Sequence, residues 1–446
     1  LGFSKFYDSE KFTLSTNRYA IEIGKNGGYE FFMAFFNNSL NYNQFYQKIS
    51  EDTAVDIVRA NISQPNQEFL NTQNIERYVN KNNNLDIKKY NVIVIMVESL
   101  SAKFMGKFGN ADSITPNLDK LADESIFFTN FYATGTRTVR GLEAFSLSVP
   151  PTPGSSIIRR PNNANLFNAS TIFKQAGYEI SFIFGGYSYF DNLNKFFSSN
   201  NYKVIDRSDF SSEEISFSNV WGVADEDLLF KGLVELDKNY QSGKPFFSLI
   251  MTTSNHRPYT FPEGRIDLPS GGGRNAAVKY TDYAIGRFFE EARKKEWFKD
   301  TIFVITADHC AASAGKVNLP VAQYHIPLMI YNPYILKPKR VNNLASQIDI
   351  IPTILGILNL PHTTKLWGSD ILNFPANRAF ISTYQLLGYI KDEYLIILAP
   401  NTKAKAYQVS GTKQHEIDDA KDLTQEAISF FQTASNFYES GELVEK

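Results

Sequence analysis

The apolar run Val92–Val97 constrains the fold of this chain more than any other feature of the sequence. Most of its residues are β-branched, and it is too short for a typical helix, so it predicts a buried parallel strand. Further strand-like runs follow, separated by helical segments, at Tyr178–Phe184, Phe246–Met251, Thr301–Thr306 and 326–331. This alternation predicts an α/β fold with a mostly parallel central sheet that is sandwiched by helices.

The two ends of the chain depart from this alternation. Residues 1–80 mix apolar clusters with polar stretches and end in an Asn/Lys-rich run, which predicts an extended or helical arm. Residues 81–375 carry the strand–helix pattern and form the predicted main domain. Residues 376–446 contain a hairpin-like pattern at 390–398 and a helical segment near 425–438, which predict a small antiparallel α+β subdomain packed on the same core.

Composition excludes several classes of protein. Lys and Arg number 45 against 47 Asp and Glu, so the chain lacks the basic footprint of a general nucleic-acid binder. The single cysteine, Cys310, excludes a disulfide framework and a cysteine-rich metal site. No apolar run approaches the roughly 18–20 residues that span a bilayer.

Reactive side chains follow three of the predicted strands directly or closely. Glu98 follows the first strand, Asp308 and His309 follow the strand at 301–306, and His256 comes shortly after the strand at 246–251. Ligands of open α/β sheets bind outside the carboxyl ends of the strands, where these side chains are expected to meet.

Glu98, Asp308 and His309 offer two carboxylates and one imidazole, a set that suits a divalent cation. The imidazole moves the choice away from calcium, so Mn²⁺ is the first choice, with Zn²⁺ or Mg²⁺ as alternatives. The competing interpretation is a hydrogen-bonded carboxylate at a strand end and an ordinary Asp-His dipeptide.

The segment 133–143 is the best source of a nucleophile. It contains three threonines and two arginines before a helical stretch, and helix N-termini with nearby guanidiniums favour phosphate. A hydroxyl on a divalent metal becomes a usable nucleophile, but the residues alone do not choose among Thr134, Thr136 and Thr138. The alternative is a Gly/Thr turn with solvated arginines.

Six motifs in one order carry a resemblance to a known family. They are Val97-Glu98-Ser99-Leu100, Thr115-Pro116-Asn117-Leu118, the segment 135–143, Ser254-Asn255-His256-Arg257-Pro258-Tyr259, Ala307-Asp308-His309 and Tyr324-His325-Ile326-Pro327-Leu328. The chain resembles, over about residues 90–375, the lipoteichoic acid synthase and phosphoglycerol transferase group of the alkaline phosphatase/sulfatase superfamily.

The resemblance implies specific roles. The residues matching Glu98, Asp308 and His309 hold the metal, and the threonine matching Thr138 is both a ligand and the nucleophile. His256 would lie beside the substrate phosphate. Apart from the resemblance, the charge of Arg137 or Arg140 is predicted to offset charge that develops in the reaction. His325 is interpreted either as a phosphate-side group or as a core histidine.

One region departs from the family pattern. Lipoteichoic acid synthases carry a His-Gly-Asp stretch and then Trp-Asn-Arg as glycerophosphate contacts, whereas residues 184–193 lack the matching His, Asp and Arg. Asp191 and Asn192 are the predicted substitutes for head-group contacts, with a helix-capping pair as the alternative. The only cysteine also lacks the Cys-x-Pro-x-Arg context of true sulfatases.

The resemblance therefore implies a metal-dependent phosphoglycerol transferase acting on phosphatidylglycerol through a phospho-threonine intermediate, with a glycan or polyol acceptor. It also implies membrane anchoring through transmembrane helices before residue 1 and a location on the extracytoplasmic (periplasmic) face. The alternatives are a phosphoethanolamine transferase, a phosphodiesterase or sulfuric ester hydrolase on the same site, and a non-catalytic membrane-anchored domain that binds glycerophosphate.

Overall fold

A computed structural model describes residues 40–445 of the chain, apart from residues 313, 314, 316 and 419. Within these residues the backbone forms four β-sheets. Their strands are, in chain order, β1 (Gln67–Phe69), β2 (Arg77–Val79), β3 (Asn91–Val97), β4 (Ile126–Phe128), β5 (Phe131–Tyr132), β6 (Glu179–Phe184), β7 (Lys203–Ile205), β8 (Phe246–Met251), β9 (Thr301–Ala307), β10 (Leu328–Tyr331), β11 (Lys339–Val341), β12 (Ala345–Ser346), β13 (His362–Thr364), β14 (Arg378–Ser382), β15 (Leu387–Lys391), β16 (Tyr394–Leu398), β17 (Lys405–Ser410) and β18 (Lys413–Ile417).

The α-helices of the described residues surround these sheets. They are α1 (Tyr42–Phe45), α2 (Glu51–Ile62), α3 (Pro116–Asp123), α4 (Thr138–Leu147), α5 (Ala169–Gln175), α6 (Leu193–Ser198), α7 (Asp225–Gln241), α8 (Arg274–Ala292), α9 (Ile350–Leu358) and α10 (Lys421–Ser440). None of them combines the length and the apolar composition that crossing a bilayer requires.

The large sheet confirms the predicted α/β fold. Its strand order is β11-β4-β10-β9-β3-β8-β6-β7, and the block from β9 to β7 is entirely parallel. Strand β10 runs antiparallel to both of its neighbours, β9 and β4, so the sheet is mixed towards one edge. Every residue of β3, β8 and β9 is buried, as expected for central strands with both faces covered.

The N-terminus of helix α3 is capped by a side chain from helix α8. Pro116 occupies its first position, where a missing N–H costs nothing, and Thr115 stands at the N-cap without making a capping bond. The Asp282 carboxylate on α8 instead accepts hydrogen bonds from the N–H groups of Asn117 and Leu118. A carboxylate at a helix N-terminus satisfies orphan donors and complements the helix dipole, so α8 fixes the start of α3.

The separate antiparallel sheet predicted near the C-terminus is confirmed. Strands β14 to β18 pair in sequence order as a meander, and α10 packs against β15 and β16.

The described part of the predicted N-terminal arm is folded onto the rest of the chain. Helix α2 packs along α10, and β1 and β2 form a three-stranded antiparallel sheet with β13. Residues 1–39 of that arm lie outside the described residues. The division of the chain at residues 80 and 375 stays a prediction.

Candidate active site

Register in the parallel sheet brings two carboxylates together. Val97 at the end of β3 lies opposite Ala307 at the end of β9, so the next residues, Glu98 and Asp308, leave the sheet side by side. His309 follows immediately, and ligand atoms of these three residues all lie within 4.8 Å of one another. The structure thus gathers the predicted metal ligands at the carboxyl edge of the sheet.

The contacts of Asp308 fit a bound cation. Its Oδ1 accepts hydrogen bonds from the N–H groups of Ser99 and His309, both at 2.7 Å, whereas its Oδ2 is buried without a hydrogen-bond partner among the described residues. His309 Nε2 lies 3.4 Å from that Oδ2 and 3.6 Å from Glu98 Oε1. Buried polar atoms in proteins are almost always satisfied, so an orphaned carboxylate oxygen facing a second carboxylate and an imidazole suits a divalent ion.

The two carboxylates differ in their proton affinity. Burial, reinforced by the neighbouring charge of Glu98, raises the pKa of Asp308 well above its usual range. Burial also acts to raise the pKa of Glu98, but the hydrogen bond with His256 and the charge of His309 outweigh it and lower that pKa. Two adjacent carboxylates resist simultaneous ionisation, a cost that a divalent cation removes.

The structure distinguishes the three threonines. Thr138 begins α4, and its hydroxyl donates to Glu98 Oε2 at 3.1 Å. The Thr134 hydroxyl is buried and donates to the Arg140 carbonyl and the Gln347 side chain, while Thr136 is only partly buried. Thr138 is therefore the alcohol that faces the carboxylate cluster.

Gly141 explains how α4 comes so close to β9. A Cβ atom at this position would lie 2.2 Å from the carbonyl oxygen of Asp308, a distance that backbone atoms cannot tolerate. The absence of a side chain therefore sets the separation between Thr138 and Asp308. Gly141 belongs to the segment 135–143, but its packing role was not predicted, although a glycine three positions after a candidate nucleophile was a readable signal.

His256 contacts the same oxygen of Glu98 as Thr138 does. Its Nε2 is 3.3 Å from Glu98 Oε2, and its ring stacks on Trp221 with the centroids 4.0 Å apart and the planes at 12°. The indole N–H of Trp221 donates to the carbonyl of Arg257, which fixes the stack. Trp221 was also missed, because it lies far from every recognised motif in the sequence.

The two arginines of the segment 133–143, Arg137 and Arg140, have different surroundings. Arg137 precedes Thr138 and is exposed, and among the described residues only its backbone carbonyl has hydrogen-bond partners, the N–H groups of Arg140 and Gly141. Arg140 is buried, pairs with Glu143 at 2.8 Å, and donates to the carbonyls of Thr152 and Gly154. These contacts tie the Arg140 side chain on α4 to the segment 152–154. Arg140 does not line the pocket described below.

Replacing Arg140 by lysine separates a packing role from a catalytic one. Lysine keeps the charge but cannot donate in a fork to two carbonyls and a carboxylate, so we expect the free energy of unfolding to fall by roughly 1–3 kcal/mol. Urea unfolding measures this loss. Turnover per folded molecule should stay near the wild-type value, and a large drop there would restore the catalytic interpretation of Arg140.

Three predicted substrate contacts have unequal placements. Asp191 lines the pocket and pairs with Arg159 at 3.4 Å, whereas Asn192 precedes α6 and donates to the carbonyl of Ile158. His325 is half-buried and packs against Phe108 and Tyr132, with Nε2 at 2.9 Å from the Thr129 carbonyl, and partial burial lowers its pKa. Of the two interpretations of His325, these contacts favour the core histidine.

A pocket of about 280 Å³ is lined in part by Thr138. Its polar lining includes Glu98, Thr138 and His256, together with Thr252 and Thr253. The rest of its wall is largely apolar and aromatic: Val139, Phe184, Tyr187, Tyr189, Phe190, Leu193, Val220, Trp221 and Met251. A few polar groups in a largely apolar pocket are the usual arrangement of a small-molecule site.

The chain is similar to curated lipoteichoic acid synthases and to a phosphoglycerol transferase. Lipoteichoic acid synthase 2 of Bacillus subtilis is 25% identical over 356 residues, which cover 72% of this chain and 54% of that protein. Phosphoglycerol transferase I of Xanthomonas campestris is 25% identical over 302 residues, covering 64% of this chain and 43% of that protein. The chain thus spans about half the length of these relatives.

Solved structures agree with this. An alkaline phosphatase superfamily protein from Vibrio parahaemolyticus superposes with a TM-score of 0.84 at 32% identity, covering 91% of this chain and all of that one. The lipoteichoic acid synthase LtaP from Listeria monocytogenes has the same fold, with a TM-score of 0.70 at 21% identity, covering 88% of this chain and 98% of that one.

These matches confirm the resemblance stated from the motifs. The family model described as Sulfatase matches residues 90–360, which hold the strand-end carboxylates, Thr138, His256 and His309. The chain belongs to the sulfatase family, in the alkaline phosphatase superfamily.

Proposed function

We propose that this protein is a phosphoglycerol transferase that depends on a divalent metal. It takes the phosphoglycerol head group of phosphatidylglycerol onto Thr138 and passes it to a hydroxyl group of a glycan or polyol. The observation that carries this proposal is the Thr138 hydroxyl, 3.1 Å from Glu98 and open to a pocket beside an unpartnered oxygen of Asp308. The names of the relatives from Bacillus and Xanthomonas support the reaction class.

Glu98, Asp308 and His309 would hold the metal, with the Thr138 hydroxyl as a further ligand. Two carboxylates, one imidazole and one alcohol make Mn²⁺ the first choice, with Zn²⁺ or Mg²⁺ as alternatives. When bound, such an ion supplies Lewis-acid polarisation of phosphoryl oxygens and favours the ionised form of an alcohol.

The protein's own side chains account for the remaining chemistry. Thr138 Oγ1 attacks phosphorus, its proton leaving through the Glu98 carboxylate that accepts its hydrogen bond, and the bond from phosphorus to the diacylglycerol oxygen breaks. His256, which lines the same pocket as Thr138, protonates that leaving oxygen. In the second half, an acceptor hydroxyl attacks phosphorus of the phosphoglycerol-threonine and gives its proton to His256. The bond from phosphorus to Thr138 Oγ1 breaks, and this oxygen takes back the proton held by Glu98.

The residue at position 138 and the environment of Cys310 disfavour two of the alternative functions. Threonine stands at the place of the nucleophile, and Cys310 is buried with its Sγ donating to the His325 carbonyl, so a sulfuric ester hydrolase is the weaker choice. An intact nucleophile beside a complete ligand set also disfavours a silent glycerophosphate-binding domain. We further propose that the protein acts at the extracytoplasmic face of a membrane to which it is anchored.

A head-group comparison tests the proposed substrate. Vesicles with labelled phosphatidylglycerol should lose label to a soluble glycan acceptor at least about tenfold faster than vesicles with labelled phosphatidylethanolamine, since about 1.4 kcal/mol of differential binding suffices for that factor. Label transfer is measured with Mn²⁺ present and again after chelation. Preference for phosphatidylethanolamine would establish the phosphoethanolamine transferase, and release to water alone would establish the phosphodiesterase.

A further inference from the structure

Exposed apolar side chains gather around the mouth of the pocket. Tyr187, Tyr189, Phe190 and Val220, here called the mouth cluster, are 40%, 77%, 50% and 81% exposed. All four line the same pocket, and Phe190 packs edge-on against Trp221. Contiguous apolar surface on a protein commonly marks a place where a partner or a membrane binds.

The backbone holds the mouth cluster in this exposed arrangement. The guanidinium of Arg207 packs over the Tyr187 ring and donates to the Asn219 carbonyl and the Ser218 hydroxyl, which ties the two loops of the cluster together. The loops also meet backbone to backbone, because a Cβ at Gly186 would lie 2.5 Å from the Trp221 carbonyl oxygen. The apolar side chains are therefore presented by a fixed scaffold.

Cationic side chains stand beside the mouth cluster. The Arg159 side chain is 46% exposed next to Asp191, and Arg257 is exposed beside the His256–Trp221 stack. Arg137 is exposed immediately before Thr138. Aromatic side chains prefer the interface of a bilayer, and each nearby Lys or Arg adds attraction to anionic lipids.

We infer that the mouth cluster and these arginines form a docking surface for a bilayer that contains anionic phospholipid. Val220 favours a bilayer over a sugar as the occupant, since an exposed aliphatic side chain offers no flat face for a sugar ring but partitions into lipid. The surface lets a lipid head group reach Thr138 while its acyl chains stay in the membrane. This second statement rests on the proposed function, whereas the docking itself does not.

The tryptophans of the chain provide a direct probe. Of its three, Trp297 and Trp367 are each 1% exposed, whereas Trp221 lines the pocket beside the mouth cluster. Vesicles of phosphatidylglycerol and phosphatidylcholine with brominated acyl chains should therefore quench the fluorescence of Trp221 in the full chain. Quenching should weaken when phosphatidylglycerol is omitted or when salt is raised, because the arginine contribution is electrostatic.

Substitutions decide whether the mouth cluster is responsible. The triple variant Tyr189→Ser/Phe190→Ser/Val220→Ser should bind these vesicles at least about tenfold more weakly in co-sedimentation, as expected for losing three interfacial apolar groups. Tyr334→Ser is the matched control, because Tyr334 is 73% exposed on a different surface, and it should bind as the wild type does.

Equal vesicle binding by the wild type and the triple variant, with the thermal midpoint of unfolding unchanged, would overturn the docking surface. So would equal losses in the triple variant and in Tyr334→Ser. Both readouts are independent of turnover, so a failure of the proposed reaction and a failure of this surface are separately visible.

Discussion

The Thr138→Ala variant is expected to lose at least about 1000-fold in turnover number, because removing a nucleophile abolishes the covalent route and leaves only binding and electrostatic effects. The side chain is small and begins a helix, so the fold should persist. Steady-state transfer of labelled phosphoglycerol measures the loss, and circular dichroism verifies the fold.

Two further variants sharpen this expectation. Thr136→Ala is a matched control, since it removes the same hydroxyl two residues earlier from a side chain that is not part of the pocket, and it should turn over normally. Thr138→Ser keeps an attacking oxygen and should retain measurable activity. With acceptor omitted, mass spectrometry of wild-type peptides should find a glycerophosphoryl group on Thr138. Multiple turnovers by Thr138→Ala would contradict the covalent route.

The Asp308→Asn variant is expected to have opposite effects on the metal-free and metal-bound protein. An asparagine oxygen can still accept hydrogen bonds from the N–H groups of Ser99 and His309, while the buried negative charge beside Glu98 disappears. The metal-free protein should therefore become more stable, because an unpaired buried charge is costly.

Metal affinity should fall in the same variant by about 100-fold or more, since changes even in outer-shell partners cost 10–100-fold. At a metal concentration 100 times its Kd, binding stabilises the wild type by about 2.7 kcal/mol, and Asp308→Asn should lose most of this gain. Thermal unfolding with and without Mn²⁺ measures both effects. Asp86→Asn, at a carboxylate that is 89% exposed, is the control. Equal metal-induced stabilisation in Asp308→Asn and the wild type would refute the ligand assignment.

The central sheet was predictable from the sequence because its buried strands are continuous apolar runs, which are a strong local signal. The runs at 92–97 and 246–251 lie inside strands that are buried over their whole length, and the side chains that follow 97 and 307 had to meet once β3 and β9 paired in parallel. The small C-terminal sheet was also predictable, because a hairpin pattern pairs residues that are near in sequence.

Other features depend on contacts between distant segments, and single-sequence patterns do not record these. Asn192 and His325 were interpreted from their residue types, but the carbonyls of Ile158 and Thr129 that bind their side chains are fixed only by tertiary packing. The same limit applies to Trp221, whose stack on His256 joins two loops from different strands. The folding of α2 against α10, at the far end of the sequence, was equally invisible.

The close approach of Gly141 to Asp308 has a consequence for redesign of this enzyme. Exchanging Thr138 for a longer side chain cannot be accommodated by moving α4 closer to Asp308, because at Gly141 the helix already contacts the Asp308 peptide. Room for a different attacking atom must come from the pocket side of the helix. The close packing of Gly141 against Asp308, rather than the size of the pocket, therefore limits which side chains can replace Thr138.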